Sequence, residues 1–459
     1  MALGKRGSEQ EDLFVTHQQL RAQSHPYYRA MNKILAEAGF DKYAEATCAK
    51  FYARKVGRPS LPPGVYFRCL LLGYFEGIDS ERGIAWRAAD SLSLRDFLGI
   101  PASKPTPDHS TLSKTRKRIA VEEHQAMFTW VLGVLDRAGL IKGKTIGVDA
   151  TTLEANAAMK SIVRRDDGRS YQEFLTDLAQ SSGIETPTRE DLARIDRKRK
   201  KKGSNQDWHN PNDPDAKITK MKDGRTHLAH KQEHAVDMDT GAIVAVTLQG
   251  ATEGDTSTIE GTLEAAEQNL DEARDHAGDE SKMVDASEEV VADKGYHSKC
   301  VILSLLLAGW RTYVAEPRRG RQRWEEQRDE RDAVYANRRR KNGERGKALM
   351  RLRGELIERT FAHALETGGM RRTHLRHHAN IAKRLLIHIA GFNLGLLMRK
   401  RFGVGKPRCL QGLSAALLAA VIGLIDTLLA LVQGSLPVRM KYRPVTPLRS
   451  ALDGIQVSP

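Results

Sequence analysis

Thr145-Ile146-Gly147-Val148-Asp149-Ala150 is a short β-prone run that ends on a carboxylate. Glu289-Val290-Val291-Ala292-Asp293 is a second run of the same kind. Two short apolar strands, each closing on an acid, predict a sheet whose strand ends bring Asp149 and Asp293 close together. Between them, residues 227–236 and 242–248 are β-prone and are joined by Asp237-Met238-Asp239-Thr240-Gly241, a hairpin signal. Ser257-Thr258-Ile259-Glu260 reads as a capping box opening a helix to about residue 269. Arg311-Thr312-Tyr313-Val314 reads as one more strand. A very basic stretch at 318–353 follows, and a helix is predicted over 354–366. The order is strand, insertion, hairpin, helix, strand, helix, strand, helix. It predicts an α/β fold, a three-stranded antiparallel sheet extended by further strands and flanked by helices.

Upstream, residues 26–135 read as mostly helical. Candidate helices at 27–38 and 40–52 are parted by Gly39, and Gly57-Arg58-Pro59-Ser60-Leu61-Pro62-Pro63 is a rigid break. Further candidates lie at 65–75, 84–88 and 93–98. Asp108-His109-Ser110-Thr111 supplies N-cap residues before a basic helix at 114–119, which carries Lys114, Arg116, Lys117 and Arg118. The expected organisation is an all-α domain over 1–135, an α/β domain over 140–400, and a C-terminal apolar helix and tail over 405–459. Residues 160–225 are polar and irregular and are expected to be an insertion in the α/β domain. It holds six consecutive cations at 197–202, Lys198 and Lys200 among them, and a turn-rich Asn210-Pro211-Asn212-Asp213-Pro214.

The 459 residues include 73 Lys and Arg against 58 Asp and Glu, a formal charge of +15. Cations clustered this way suit an anionic polymer, because they displace the counterions of phosphates. The cysteines Cys48, Cys69, Cys300 and Cys409 form no CxxC pair, which argues against a disulfide framework or structural zinc and for a reducing cytosol. Residues 1–10 are polar and offer no signal-peptide core, so a cytoplasmic, nucleoid-associated protein is expected. Residues 413–432 are long and apolar enough to span a bilayer, but Asp426 lies inside and Gly423 and Thr427 interrupt the run. A buried or subunit-interface helix is the simpler reading, with no membrane partner.

A third acid completes a site. Glu358 falls on the predicted helix beside the apolar stripe Ile357, Phe361, Ala364 and Leu365, and Glu355 and Glu366 compete with it. Three clustered carboxylates repel one another unless cations occupy them. Magnesium takes hard oxygen ligands, and two ions about 3.5–4 Å apart can serve the attacking and leaving oxygens of a phosphoryl transfer. His227, His230 and His234 are poor zinc candidates, since strand spacing puts the first two on opposite faces.

Gly147-Val148-Asp149-Ala150-Thr151 and Val291-Ala292-Asp293-Lys294-Gly295-Tyr296 resemble the first and second acidic motifs of bacterial insertion-sequence DDE transposases. Leu356-Ile357-Glu358-Arg359-Thr360-Phe361 resembles the third. Gly369-Met370-Arg371-Arg372 and Asn380-Ile381-Ala382-Lys383-Arg384 resemble the basic stretch beyond it, and the helical region closing on Asp108-His109-Ser110-Thr111-Leu112-Ser113 is similar to the group's accessory domain. The resemblance spans residues 25–405. It implies an RNase H-like core with the triad Asp149, Asp293 and Glu358, two Mg2+ or Mn2+ ions, and double-stranded DNA, both inverted-repeat ends and target, handled by a homodimer. Lys294, Tyr296, Arg371, Arg372, Arg376, Lys383 and Arg384 are expected to meet phosphates. Some relatives carry Arg four residues before the third acid and Lys seven after it. Here those places hold Gly354 and Leu365, so a hairpin-type cleavage pathway is not assumed. A nuclease of the same fold without strand transfer, or an inactive DNA-binding relative, stands as the alternative.

Overall fold

The computed structural model describes residues 25–53, 57, 59–199, 203–221, 224–318, 320 and 324–410. Lys200 and the apolar 413–432 run lie outside the described residues. The N-terminal region is helical, as α1 (Pro26–Glu37), α2 (Phe40–Cys48), α3 (Pro63–Glu76), α4 (Glu81–Ala89), α5 (Leu92–Leu98), α6 (His109–Arg118) and α7 (Val121–Arg137). Pro63 sits at the start of α3, where a missing N–H costs nothing, and Gly77 ends the helix at φ +70°. Every residue from Pro63 to Phe75 is buried, so α3 is a core helix, and the one charged residue in that span, Arg68, is paired with Asp41. The basic helix α6 begins at His109 because Asp108 Oδ1 accepts the Thr111 N–H at 2.7 Å.

After α7 comes β1 (Thr145–Glu154). The insertion follows as β2 (Val163–Arg164), α8 (Tyr171–Ser181), α9 (Arg189–Lys198), β3 (Trp208–His209) and β4 (Lys217–Lys220). It is more ordered than its composition suggests. Ser170 and Thr188 each open a helix through a capping box, and Trp208, Ile162, Ala216 and Leu228 form a small core beneath it. The chain continues through β5 (Thr226–Asp237), β6 (Ile243–Gly250), α10 (Asp255–Ala277), β7 (Glu289–Ala292), α11 (Lys299–Leu307), β8 (Arg311–Val314), α12 (Arg328–Asn342), α13 (Glu344–Phe361) and α14 (His378–Phe402).

The expected α/β architecture is present. β6, β5 and β1 are antiparallel neighbours, and β7 and β8 extend the sheet in parallel with β1. β4 pairs with the start of β5. β1 is therefore central. The hairpin turn is tightened by Gly241 at φ +77°. Two element boundaries differ from the sequence expectation. α10 starts at Asp255 and not on a capping box at Ser257: Gly254 is its N-cap, and the Ser257 hydroxyl donates back to Gly254 O at 2.7 Å. α13 starts ten residues before the predicted helix, since the basic stretch is itself built of good helix formers, and Gly354 lies in its interior. A π-turn at Ala362–Thr367 continues it.

α13 crosses one face of the sheet. Leu349 clusters with Val291 and Tyr313, Ile357 sits over Gly147, and the Thr360 hydroxyl meets His234 Nδ1 at 3.1 Å. α10 covers the other face, where Asn269 Nδ2 donates to Val244 O at 2.9 Å. α14 ties the layers together. Its Asn393 exchanges two hydrogen bonds with the Ile243 backbone of β6, and its Arg384 reaches into α3. Among the described residues α14 is the one helix long and apolar enough to cross a membrane, and it is packed inside the protein.

Candidate active site

Val148 and Ala292 are the last register partners of the parallel pair β1–β7, so Asp149 and Asp293 stand next in line on neighbouring strands. Asp149 is half-buried. Its Oδ2 accepts a hydrogen bond from Arg353 Nη1 of α13 at 2.7 Å, and its Oδ1 accepts the Ala150 N–H at 2.8 Å. Burial pushes the Asp149 carboxyl above its ordinary range. Arg353 works against that shift, and the negative charge of Asp293 adds to it. Asp293 Oδ1 accepts the Gly295 N–H at 2.7 Å within the short turn Lys294–Tyr296.

Alternation along β1 puts Gly147, Asp149 and Thr151 on the face that α13 covers. Glu358 is exposed on α13 and opens on to a groove along this face. Thr151, Thr152 and Glu154 of β1, with His227 and Arg371, line the same groove. Of the rival acids, Glu355 pairs with Arg359 at 2.5 Å, whereas Glu366 lines the groove and pairs with Arg371. The carboxylates of Asp149, Asp293 and Glu358 are hard oxygen donors, and a guanidinium already balances one of them. Hard oxygen donors of this type suit magnesium or manganese, but the structure does not gather them: among the described residues three ligand atoms meet within 4.8 Å at Asp213, Asp215 and His377 and not at these three acids, and neither Asp149 nor Asp293 lines the groove that Glu358 faces.

A family described as a transposase domain matches residues 15–118, and a family described as a transposase DDE domain matches residues 182–394. The chain belongs to the DDE transposases of insertion sequences. Asp293 and Glu358 fall within the second match, and Asp149 lies between the two. No curated protein matches the chain. Membership implies an RNase H-like core, action on DNA and dependence on a divalent metal.

The cations expected to meet DNA divide into two sets in this transposase. Lys114, Lys117, Lys198, Lys294, Arg371, Arg372 and Arg376 are exposed, and Arg118 is half-buried with its guanidinium 5.2 Å from the Tyr52 ring centre. Arg371 pairs with Glu366, Arg372 lies 3.7 Å from Glu154, and Arg376 Nε donates to Asn156 O at 3.2 Å. The second set is internal and corrects the expectation. Arg116 is buried between Glu81 Oε1 and Asn380 Oδ1, each at 2.7 Å. Lys383 is buried and donates to Arg116 O at 3.1 Å. Arg384 donates to Leu70 O at 2.7 Å and Ile78 O at 2.9 Å, closing the end of α3, and burial pushes its pKa down to about 10. These three cations satisfy buried acceptors and face no phosphate. Tyr296 is buried as well, and its hydroxyl donates to Glu233 Oε1 at 2.6 Å. Burial first, then the Glu233 charge, raises its pKa and keeps it a neutral donor.

Two groups escape sequence reasoning. Arg353 lies inside a stretch that reads only as basic, one residue before the Gly354 that stands in the relatives' Arg position. Its partner, Asp149, is 204 residues away. Asp255 falls at a helix start, yet its Oδ1 pairs with Lys231 at 2.7 Å and its Oδ2 lies against Gly295, beside Asp293. No local spacing joins 231, 255 and 293; the signal is the polar run His230-Lys231-Gln232-Glu233-His234 inside a β-strand. His230 and His234 hold structure. His234 stacks on Phe361 at 4.4 Å and burial pushes its pKa to about 3, while His230 Nε2 meets Asp213 Oδ2 at 3.3 Å. Asp213, Asp215 and His377 each bring a ligand atom within 4.8 Å of the others. Both carboxylates are engaged at the N-terminus of α14, accepting the His377 and His378 N–H groups at 3.1 and 2.9 Å.

Proposed function

We propose that this transposase cuts DNA strands at the inverted-repeat ends of its element and joins the freed 3′-hydroxyl to target DNA. It does so as a homodimer that pairs two ends, in the cytoplasm at the nucleoid. The observation that carries the reading is the placement of Asp149 and Asp293 on adjacent strands under the helix that bears Glu358. These three acids would hold two magnesium or manganese ions. Ions held there would supply Lewis-acid stabilisation of charge on the attacking and leaving oxygens. The residues supply the rest. The Gly295 N–H orients Asp293, and Arg353 balances the charge of Asp149. Lys294 beside the second acid, with Arg371, Arg372 and Arg376 near the groove, offers cations to the phosphate backbone. Lys114, Lys117, Arg118 and Lys198 extend that role to α6 and the insertion.

The test is cleavage of DNA carrying the element's own ends, with Mg2+ or Mn2+, followed by joining to a target plasmid. Asp149→Ala, Asp293→Ala and Glu358→Ala are each expected to abolish both steps, and Glu355→Ala to leave both intact. End-specific cleavage that survives in all three alanine variants refutes the assignment. Cleavage without joined products reduces the protein to a nuclease.

A further inference from the structure

Behind Asp293 lies a polar network buried between the sheet and α10. Lys231 and Glu233 of β5 face α10 and are buried. Glu233 accepts hydroxyl hydrogen bonds from Tyr296 at 2.6 Å and Thr258 at 3.0 Å, and a third from Thr262. Lys231 Nζ lies 3.5 Å from Glu233, donates to Thr258 Oγ1 at 2.9 Å and pairs with Asp255 Oδ1 at 2.7 Å. A buried carboxylate and a buried ammonium are costly to keep in a core that aliphatic side chains could fill. A set so fully bonded has a job that packing alone does not explain.

Its outlets show the job. Tyr296 is three residues past Asp293 and closes the turn in which Gly295 N–H holds the Asp293 carboxylate. Asp255 Oδ2 touches the same glycine from the other side. A Cβ on Gly295 would stand 2.4 Å from Asp255 Oδ2 and 3.0 Å from Asp293 Oδ1. Both carboxylates thus crowd one backbone atom, and Lys231 offsets the repulsion between them.

We propose that Lys231, Glu233, Asp255 and Tyr296 form a positioning set that holds the 293–296 turn, and with it Asp293, in the geometry a divalent cation requires. The proposal rests on the metal-binding role of Asp293 stated above. Partners behind a ligand commonly govern metal affinity by about 10–100-fold, and the same is expected here.

The experiment is Mn2+ binding to the purified full chain by titration calorimetry, alongside thermal melting without metal. Tyr296→Phe keeps the ring and removes the hydroxyl, and Asp255→Asn, on a partly exposed side chain, keeps the shape and removes the charge. Asp293→Ala defines which part of the binding belongs to this centre. Both positioning variants are expected to weaken the Asp293-dependent Mn2+ binding by about 10-fold or more. The metal-free melting temperature should move by no more than a few degrees in Asp255→Asn. Lys231→Arg should retain binding better than Lys231→Met. Wild-type Mn2+ affinity in both Tyr296→Phe and Asp255→Asn, with binding lost in Asp293→Ala, overturns the positioning role alone. Unchanged binding in Asp293→Ala overturns the metal centre itself and the positioning role with it.

Discussion

Gly147→Ala probes how tightly the third acid's helix is seated on the strand of the first. The added Cβ would stand 2.4 Å from Met238 Sδ and 3.0 Å from Ile357 Cδ1, where carbon contacts normally lie at about 3.5–4.0 Å. Met238 is flexible, but it is fully enclosed and has little room to retreat. Ile357 is β-branched and stiff, and it belongs to the same helix as Arg353 and Glu358. Relief of the clash therefore pushes α13 away from β1. Overpacking of this kind costs about 1–3 kcal/mol. A displacement near 1 Å at a catalytic group costs on the order of 100-fold in rate, so activity should fall further than stability. The assay pairs thermal melting with metal-dependent end cleavage at a temperature where the variant is folded. In the double variant with Met238→Ala the space is returned, and the stability losses should couple by about 1 kcal/mol or more. Additive losses together with wild-type cleavage by Gly147→Ala would refute the idea that this contact sets the height of α13.

Three further outcomes follow from side chains with defined surroundings. His124 is buried, with its Nδ1–H donating to Ala120 O at 2.8 Å and its Nε2 accepting from Tyr66 at 3.0 Å, and burial pushes its pKa down to about 3. The unfolded chain binds a proton there near pH 6.5 and the folded chain does not. Stability on this account is intact above about pH 6.5 and falls by about 1.4 kcal/mol per pH unit between there and about 3. Denaturation of His124→Gln at pH 7.5 and 5.0 should show a difference smaller than wild type by about 2 kcal/mol; an identical difference refutes the assignment. Arg384→Met should destabilise by about 1–3 kcal/mol per orphaned carbonyl of Leu70 and Ile78 without altering the salt dependence of DNA binding. The joint variant Lys114→Ala and Lys117→Ala should do the reverse, leaving the melting temperature in place and lowering the slope of log affinity against log salt by up to about 2.

The strands, the hairpin and the ends on which Asp149 and Asp293 sit are legible in the sequence because each is a local pattern: an apolar run, a turn, an acid. The helix of Glu358 is legible in place but not in length, since composition cannot separate a basic solvated stretch from a basic helix. What local pattern does not supply is partnership. Arg116, Lys383 and Arg384 read as phosphate-binding by charge alone, yet each lies where a buried acid, amide or carbonyl needs a donor. Tyr296 departs from expectation for the same reason. Its motif points to the site, but its hydroxyl answers to Glu233 on a strand 63 residues away. Burial decides which polar residues are free to meet a ligand, and burial is set by the whole sheet.

Asp213 and Asp215 complete the first turn of α14, and that helix then runs back beneath β6 and along α3 and α7. The region between the first strand and the hairpin is thus no detachable ornament. It supplies the anionic end-piece of the rod on which both matched regions lean. A chain trimmed of residues 160–225 would leave that rod unterminated, and fragments cut at the seam between the two matched regions would each expose half of one shared interior. Shortening this protein while keeping it folded requires replacing that end-piece first.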